Sequence, residues 1–415
     1  MTQLDLAALI RPGDLVAWGQ GPAEPRTLTR ALVDARHRVG GRFGVFVGIG
    51  QGDALTPDAA DCIDVLSYCG TGTNRALARA KMLDILPSHY SQFPALIKSG
   101  RLPVDVVLIQ VSAADEQGRH SLGVAQEYLL AALDRARVVV AEINDQVPWV
   151  HGERTLSAVD FHAVVHSSRP LPELERHAPG PVEQAIAAHV AGLVEDGATV
   201  QMGLGAIPEA VLACLRGRRD LSVHSGTIGD AVAELMAQGV VTNARNPLSP
   251  GVTSAGMLMG TRRIFDFAHR NDAIRLRGTD YIHAPEVLAR LERFTAVNSA
   301  LEVDLTGQIN SEDSGAGYVG AVGGAVDFLR GAHRSRGGLP IVALPSTARG
   351  ASRIVARLNG PVTVPRSDAG LIVTEYGIAD LRGACLTERT RRLVAIAHPD
   401  FREMLDRAAH GARLA

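Results

Sequence analysis

Apolar residues along this chain fall in short dense runs separated by stretches in which they recur every three or four positions, which is the alternation of buried strands with amphipathic helices. In the first half, the runs from Gly44 to Ile49, Asp105 to Val111 and Val138 to Ile143 are dense in Val and Ile and predict parallel strands covered on both faces. The spacing between them predicts helices over Leu77 to Leu86 and Glu127 to Ala136. In the second half, Thr199 to Met202, Leu221 to His224, Phe294 to Asn298, Leu339 to Leu344 and Gly370 to Thr374 predict strands of the same kind. The polar, proline-bearing stretch from Pro170 to Pro181 reads as the boundary, giving expected domains of 1–178 and 179–415. The expected fold class is α/β: two related open α/β domains with mainly parallel sheets.

The relation between the halves rests on two recurrences. Gly13 to Gly21 leads to Pro25 and a helical run, and Gly197 to Gly205 leads to Pro208 and another; each reads as a short strand, a Gly-x-Gly turn and a helix. The run 105–118 ends in Ala114-Asp115 with Gly118, and the run 370–383 ends in Ala379-Asp380 with Gly383. Neither Gly-x-Gly turn completes a dinucleotide fingerprint, because Glu24 and Pro208 stand at the third glycine position. Such turns still expose backbone N–H groups suited to a phosphate or an oxyanion, and a purely architectural role is equally compatible with the spacing.

The stretch from Leu221 to Arg245 gathers polar residues between a strand and a helix. Ile228, Ala231, Val232, Leu235 and Met236 recur at helical spacing, Gly239 sits where a helix stops, and Ser225 or Thr227 is placed to cap it. In an open α/β sheet the carboxyl ends of strands carry the chemistry, which puts His224, Ser225 and Gly226 where a substrate would approach. Adjacent strand residues point to opposite faces, so His224 and Ser225 make a poor base and nucleophile pair. His224 reads rather as a hydrogen-bonded wall.

Composition narrows the class. The 415 residues are 46% hydrophobic and 21% charged, the profile of an ordinary globular enzyme, and a net charge of −2 gives no reason to expect nucleic acid or an anionic membrane. No apolar run approaches the ~20 residues needed to span a bilayer, and the first residues lack a basic cluster before an apolar core, so a cytoplasmic protein is expected. The four cysteines, Cys62, Cys69, Cys214 and Cys385, are scattered without a Cys-x-x-Cys pair, and no residues have metal-ligand spacing; no metal is expected.

The 221–245 stretch also resembles the acetyl-CoA hydrolase/transferase family, single-chain class I coenzyme A transferases that include 4-hydroxybutyrate/acetate CoA-transferases. There a similar strand ends in His-Ser/Thr-Glu-Met and runs on to a Gly-Val-Val-Thr-Asn segment; His224, Ser225, Asp230 and Gly239 to Asn243 match. The runs 297–310 (VNSALEVDLTGQIN), 317–331 (GYVGAVGGAVDFLRG) and 373–383 (VTEYGIADLRG) carry the resemblance through the second half, and 118–123 (GRHSLG) with Glu142 to Asn144 carry it through the first.

The resemblance implies a class I CoA-transferase-like fold, coenzyme A as acyl-CoA substrate, a small carboxylate or other acceptor, and a homodimer. It implies that Gly320, Gly323 and Gly324 bind coenzyme A and help form an oxyanion hole, faced by an amide of a first-half turn, here Gly21. It also implies a nucleophilic glutamate where this chain has Gly226. A glycine cannot attack a thioester. The residues leave open transfer of CoA or an acyl group by direct attack of the acceptor or through another acid such as Glu24, hydrolysis of a thioester or of a C–C bond β to one by water in the vacated space, and binding without turnover. Arg353 and Arg366 are candidate partners for a carboxylate or phosphate, whereas Glu302 and Asp304 read as a structural polar pair.

Overall fold

The computed structural model describes residues 4–175, 178–315 and 317–411. Its strands form a seven-stranded and an eight-stranded sheet, with three small sheets beside them. The first large sheet orders its strands Leu83–Ile85, Ile63–Ser67, Phe43–Val47, Leu15–Trp18, Val104–Val111, Val138–Asn144 and Ala163–Ser167, all parallel. The second runs Ile274–Leu276, Thr253–Leu258, Ser222–Ile228, Thr199–Met202, Thr295–Ser299, Leu339–Ala343 and Leu371–Thr374, then adds Gly377–Asp380 antiparallel at its edge. Apart from that edge the orders are the same. In each sheet the first strand in sequence lies in the middle, and the order reverses beside it.

The Gly13 to Gly21 and Gly197 to Gly205 recurrence therefore marks equivalent strands. The second recurrence does not: Val104–Val111 flanks the central strand of its sheet, while Leu371–Thr374 lies two places further out in the other. Both segments are followed by a glycine in the left-handed region, Gly118 at φ +73° and Gly383 at φ +66°, so the likeness records a shared turn.

Several expectations are displaced for physical reasons. The strand expected to stop at His224 continues to Ile228, so Gly226 lies within it, and the helix Asp230–Ala237 is preceded by Gly229 without a side-chain cap from Ser225 or Thr227. The helix expected over 77–86 is split. It ends at Arg79, Lys81 turns left-handed at φ 58°, and Leu83–Ile85 becomes an edge strand. The helix expected from Glu127 begins at Leu129.

Charged and amide side chains fasten loops to sheet ends. Asn243, itself left-handed at φ 53°, accepts the Val223 N–H (2.9 Å) and donates to Thr253 Oγ1 (3.0 Å), which locks the segment after the helix to two neighbouring strands. Asp230 accepts the Ile264 N–H (3.0 Å) at the start of the helix Arg262–Ala268. Asp304 accepts the backbone and hydroxyl of Thr306 (2.9 and 2.7 Å), a structural network in line with the expectation for that acid.

Glu142 is the most buried of these ties, with its side chain wholly inaccessible. It accepts the Thr27 N–H (2.9 Å) at the opening of the helix Arg26–Ala35 and pairs with Arg169 (2.7 Å). Removing one member of a buried pair leaves the other charge uncompensated. Glu142→Ala is therefore expected to lower unfolding free energy by about 3 kcal/mol, read as a shifted urea midpoint; an unchanged midpoint would show that the tie contributes nothing.

Candidate active site

The carboxyl ends of the two central strands converge on one cleft of about 620 Å³, within the range of small-molecule sites. The first sheet contributes Gln20, from the turn after Leu15–Trp18; the second contributes Gln201 to Gly205, Asn298 and Gly226. Gly323 and Gly324 close one side at the start of the helix Ala325–Arg334. First-half groups hold that loop in place: Gly320 O accepts from Gly70 N and Gly323 O from Tyr90 N, both at 2.9 Å, while Asp327 accepts the Ser91 hydroxyl (2.7 Å) and N–H (3.0 Å).

Gly226 faces the cleft. A Cβ built on it would stand 3.4 Å from His283 Nε2 and 3.6 Å from Phe328, ordinary contact distances, so the absence of a side chain is not forced by crowding. His283 lies between Gly226 and Gly324, where a Cβ on Gly324 would come within 2.7 Å of its Nε2. The imidazole packs at a tilt against Phe328 (4.6 Å) and Tyr90 (4.9 Å), its Nδ1 has no hydrogen-bond partner, and burial pushes its pKa down to about 3. It is neutral near pH 7.

Glu127 is the buried acid of the cleft. Its Oε2 accepts a 2.6 Å hydrogen bond from Gln20 Nε2, and the Tyr90 hydroxyl, which accepts from Gln20 at 2.9 Å, also serves it. Gln20 is oriented in turn by its own Oε1, which accepts from Tyr68 Oη (2.7 Å) and Ile49 N (2.9 Å). Desolvation outweighs these bonds and raises the carboxyl from its ordinary 4.5 to about 7. Glu127 also sits in the left-handed region at φ 38°, a strained conformation for a residue with a side chain.

The residues expected from sequence divide sharply. Gly226, Gly323 and Gly324 meet in the cleft. His224 is a buried wall whose Nε2 donates to Ile282 O (2.9 Å), and burial lowers its pKa to about 4; it fixes the segment that presents His283. Ser225 has its single hydroxyl proton within reach of Thr227 O (2.8 Å) and Met202 O (3.1 Å) and lines an adjoining recess of about 30 Å³, not the cleft itself.

Gly21 requires correction as the facing amide, since its N–H is donated to Ile49 O (2.8 Å); the cleft-facing group of that turn is the Gln20 side chain. Glu24 is likewise turned away. It accepts from Gly52 N (2.8 Å) and Thr29 Oγ1 (3.1 Å) beneath a loop, with its pKa raised by burial. Gly320 lies behind the cleft with its carbonyl and N–H both engaged, and Arg353 Nη1 is spent on Leu301 O (3.0 Å). The cation at the cleft wall is instead the exposed Arg75.

Sequence reasoning missed Gln20, Glu127 and His283. Glu127 opens an apolar helical run, where an acid reads as ordinary helix-start chemistry, and the x of Gly-x-Gly carries no signal of its own. Among the described residues His37, Asp61 and Cys62 stand close enough to share an ion, but Asp61 is already gripped by Arg36 (2.8 and 3.1 Å).

With the geometry in view, comparison with known proteins is decisive. The acetyl-CoA hydrolase/transferase N-terminal domain model matches residues 1–167, and the C-terminal domain model matches 260–409. The chain belongs to the acetyl-CoA hydrolase/transferase family. It is 39% identical to a 4-hydroxybutyrate coenzyme A transferase of Clostridium kluyveri over 94% of this chain and 92% of that one. It is 33% identical to a succinyl-CoA:cyclohexane-1-carboxylate CoA transferase of Geobacter metallireducens over 98% and 94%. The crystal structure of RipA from Yersinia pestis superposes with a TM-score of 0.93 at 34% identity, over 99% and 97%. This family member is thus an acyl-CoA transferase or hydrolase with mainly parallel α/β architecture. No helix among the described residues is long and apolar enough to cross a membrane.

Burying the Glu127 carboxyl has a stability consequence. A rise from 4.5 to about 7, at roughly 1.4 kcal/mol per tenfold, puts a penalty of about 3 kcal/mol on the folded protein once the group is ionised. Because the folded pKa lies above the unfolded one, that penalty is absent below about pH 4.5 and grows as pH rises through 7. Glu127→Gln should accordingly melt higher than the unsubstituted protein at pH 8 and about level with it at pH 5. Equal melting temperatures at pH 8 would show that the carboxyl is not desolvated.

Proposed function

We propose that this family enzyme transfers CoA or an acyl group between a coenzyme A thioester and an acceptor seated in the cleft, a small carboxylate or water, by direct attack of that acceptor and without a glutamyl-CoA intermediate. The observation that carries the reading is Gly226 facing the cleft opposite Gly323 and Gly324, with no side chain where the family resemblance implies the attacking carboxylate. Glycine backbone at a helix start allows close approach and turns amides toward developing negative charge. The relatives named as transferases for 4-hydroxybutyrate and cyclohexane-1-carboxylate support small carboxylates as acceptors. A cytoplasmic homodimer belongs to the same proposal.

Two experiments test it. Incubation with acyl-CoA followed by borohydride or hydroxylamine should leave the protein mass unchanged; a reduced or hydroxamate-bearing acid would contradict direct transfer. Conversely, Gly226→Glu should create or raise acyl-CoA:carboxylate exchange, because the Cβ position is uncrowded. A folded, CoA-binding variant with no gain would remove position 226 from the reaction.

A further inference from the structure

Glu127 lines the same cleft as Gly226, Gly323 and Gly324, and nothing in the family resemblance assigns it. The Gly226 carbonyl oxygen and Glu127 Oε1 lie 2.8 and 3.4 Å from one point, the place a Cβ on the buried Gly256 would occupy, so carboxylate and strand are close neighbours, and both residues line the cleft. Glu127 Cγ is 3.1 Å from that same point, which only a glycine at 256 leaves open. Gln20 holds the acid through Oε2 and Tyr90 bonds it as well, while Oε1 lies on the side of Gly226. The strained backbone at φ 38° is what aims the side chain there, and such strain persists where a site over-determines it.

We infer that Glu127 Oε1 is the general base that draws a proton from water as it attacks the thioester carbon, making the cleft hydrolytic. This rests on the acyl-CoA reading above and names the acceptor it leaves open. The water oxygen bonds to the acyl carbon while its proton moves to Oε1; the tetrahedral oxyanion then re-forms the carbonyl as the C–S bond breaks, and the coenzyme A thiolate recovers the proton from Glu127. The products are a free carboxylic acid and coenzyme A thiol, with no oxidant or further reactant. A carboxylate acceptor has no proton to give up and would be repelled by an ionised Glu127, whereas water needs such a base.

The other groups within reach are weaker candidates. His283 is held neutral down to about pH 3 and is a poor proton acceptor; Ser225 and Glu24 are committed elsewhere. A base is most effective when it titrates near the working pH, and Glu127 does so at about 7. The titratable groups facing it do not blur that step. Burial pushes Tyr68, Tyr90, Tyr128 and Cys69 above their ordinary values and His283 below its own; Arg75, Glu175 and Glu209 are the other charged residues of the cleft lining.

The test uses the full chain with acetyl-, propionyl- and butyryl-CoA, following thiol release, exchange of labelled carboxylate into thioester, and thioester binding. The inference expects thiol release whose rate rises through about pH 7, and a loss of about 100-fold or more in kcat for Glu127→Gln with thioester affinity retained. Tyr90→Phe should move the pH midpoint upward, because it removes a hydrogen bond that favours the carboxylate. Glu127→Asp, which withdraws the carboxyl by one methylene, should be slow yet keep the pH step and serves if the Gln variant does not fold. A single turnover in ¹⁸O-water should label the released acid and not the Glu127 peptide. Unaltered thiol release in Glu127→Gln, or label in that peptide, overturns the inference. Exchange without thiol release overturns it while sparing the acyl-transfer reading; binding with neither reaction overturns both.

Discussion

A carboxyl group taken out of water with hydrogen bonds in place of a cation is the constraint on which this site depends. Glu127 is satisfied by an amide and a phenol, each held by a further partner: Gln20 by Tyr68 and the Ile49 amide, Tyr90 by its backbone bond to Gly323. Neutral donors stabilise a carboxylate less than a guanidinium would, so desolvation prevails and the acid remains close to its switching point near neutral pH. An arginine at Gln20 would remove that property. The network also joins the two halves of the chain, because Tyr90 is at once a support for Glu127, a packing partner of His283 and the anchor of the glycine loop.

The repeated sheet order explains why such a network can form. Each half places its earliest strand centrally, with neighbours running outward on either side, so each offers a crevice at the carboxyl end of that strand. Set against each other, the two crevices form one cleft walled by Gln20 from one sheet and by Gln201, Asn298 and Gly226 from the other. The chemistry is thereby divided between halves that each bury apolar residues of their own and are also joined by a shared core, in which Val124, Ala125, Val147 and Val150 pack with the second-half strands.

What could be read from the sequence follows from how local the determining forces are. Val104–Val111 and Thr199–Met202 declare themselves because strands buried on both faces are written in Val, Ile and other apolar residues. Thr253–Leu258 is equally buried yet went unread, since Ser254 and Gly256 interrupt its apolar run to admit the neighbouring backbone and Glu127. The Ser222–Ile228 strand was cut short at His224 because Ser225 and Gly226 look like a turn when pairing with Thr253–Leu258 is unknown. Gly226, Gly323 and Gly324 were legible as candidates from the family resemblance. Glu127 and His283 were not, because a charge on a helix start and a lone histidine acquire meaning only from residues brought close by the fold, Gln20 and Tyr90 for the acid and Gly226, Tyr90 and Phe328 for the imidazole. Gly21 was misread for the same reason: whether an amide is free depends on Ile49, which the turn itself does not reveal.

Binding falls to the glycine loop, the missing side chain to Gly226, and proton transfer to an acid from the opposite half. These roles require the acyl carbon to lie in the corner shared by Gly226 and Glu127. A crystal structure of the Glu127→Gln protein with a bound acyl-CoA thioester tests this most directly. The account predicts the thioester carbonyl beside Gly226 and Gly324, with a water between the acyl carbon and residue 127. A thioester placed with its acyl carbon outside that corner, against Ser225, Glu24 or Arg353, would contradict it.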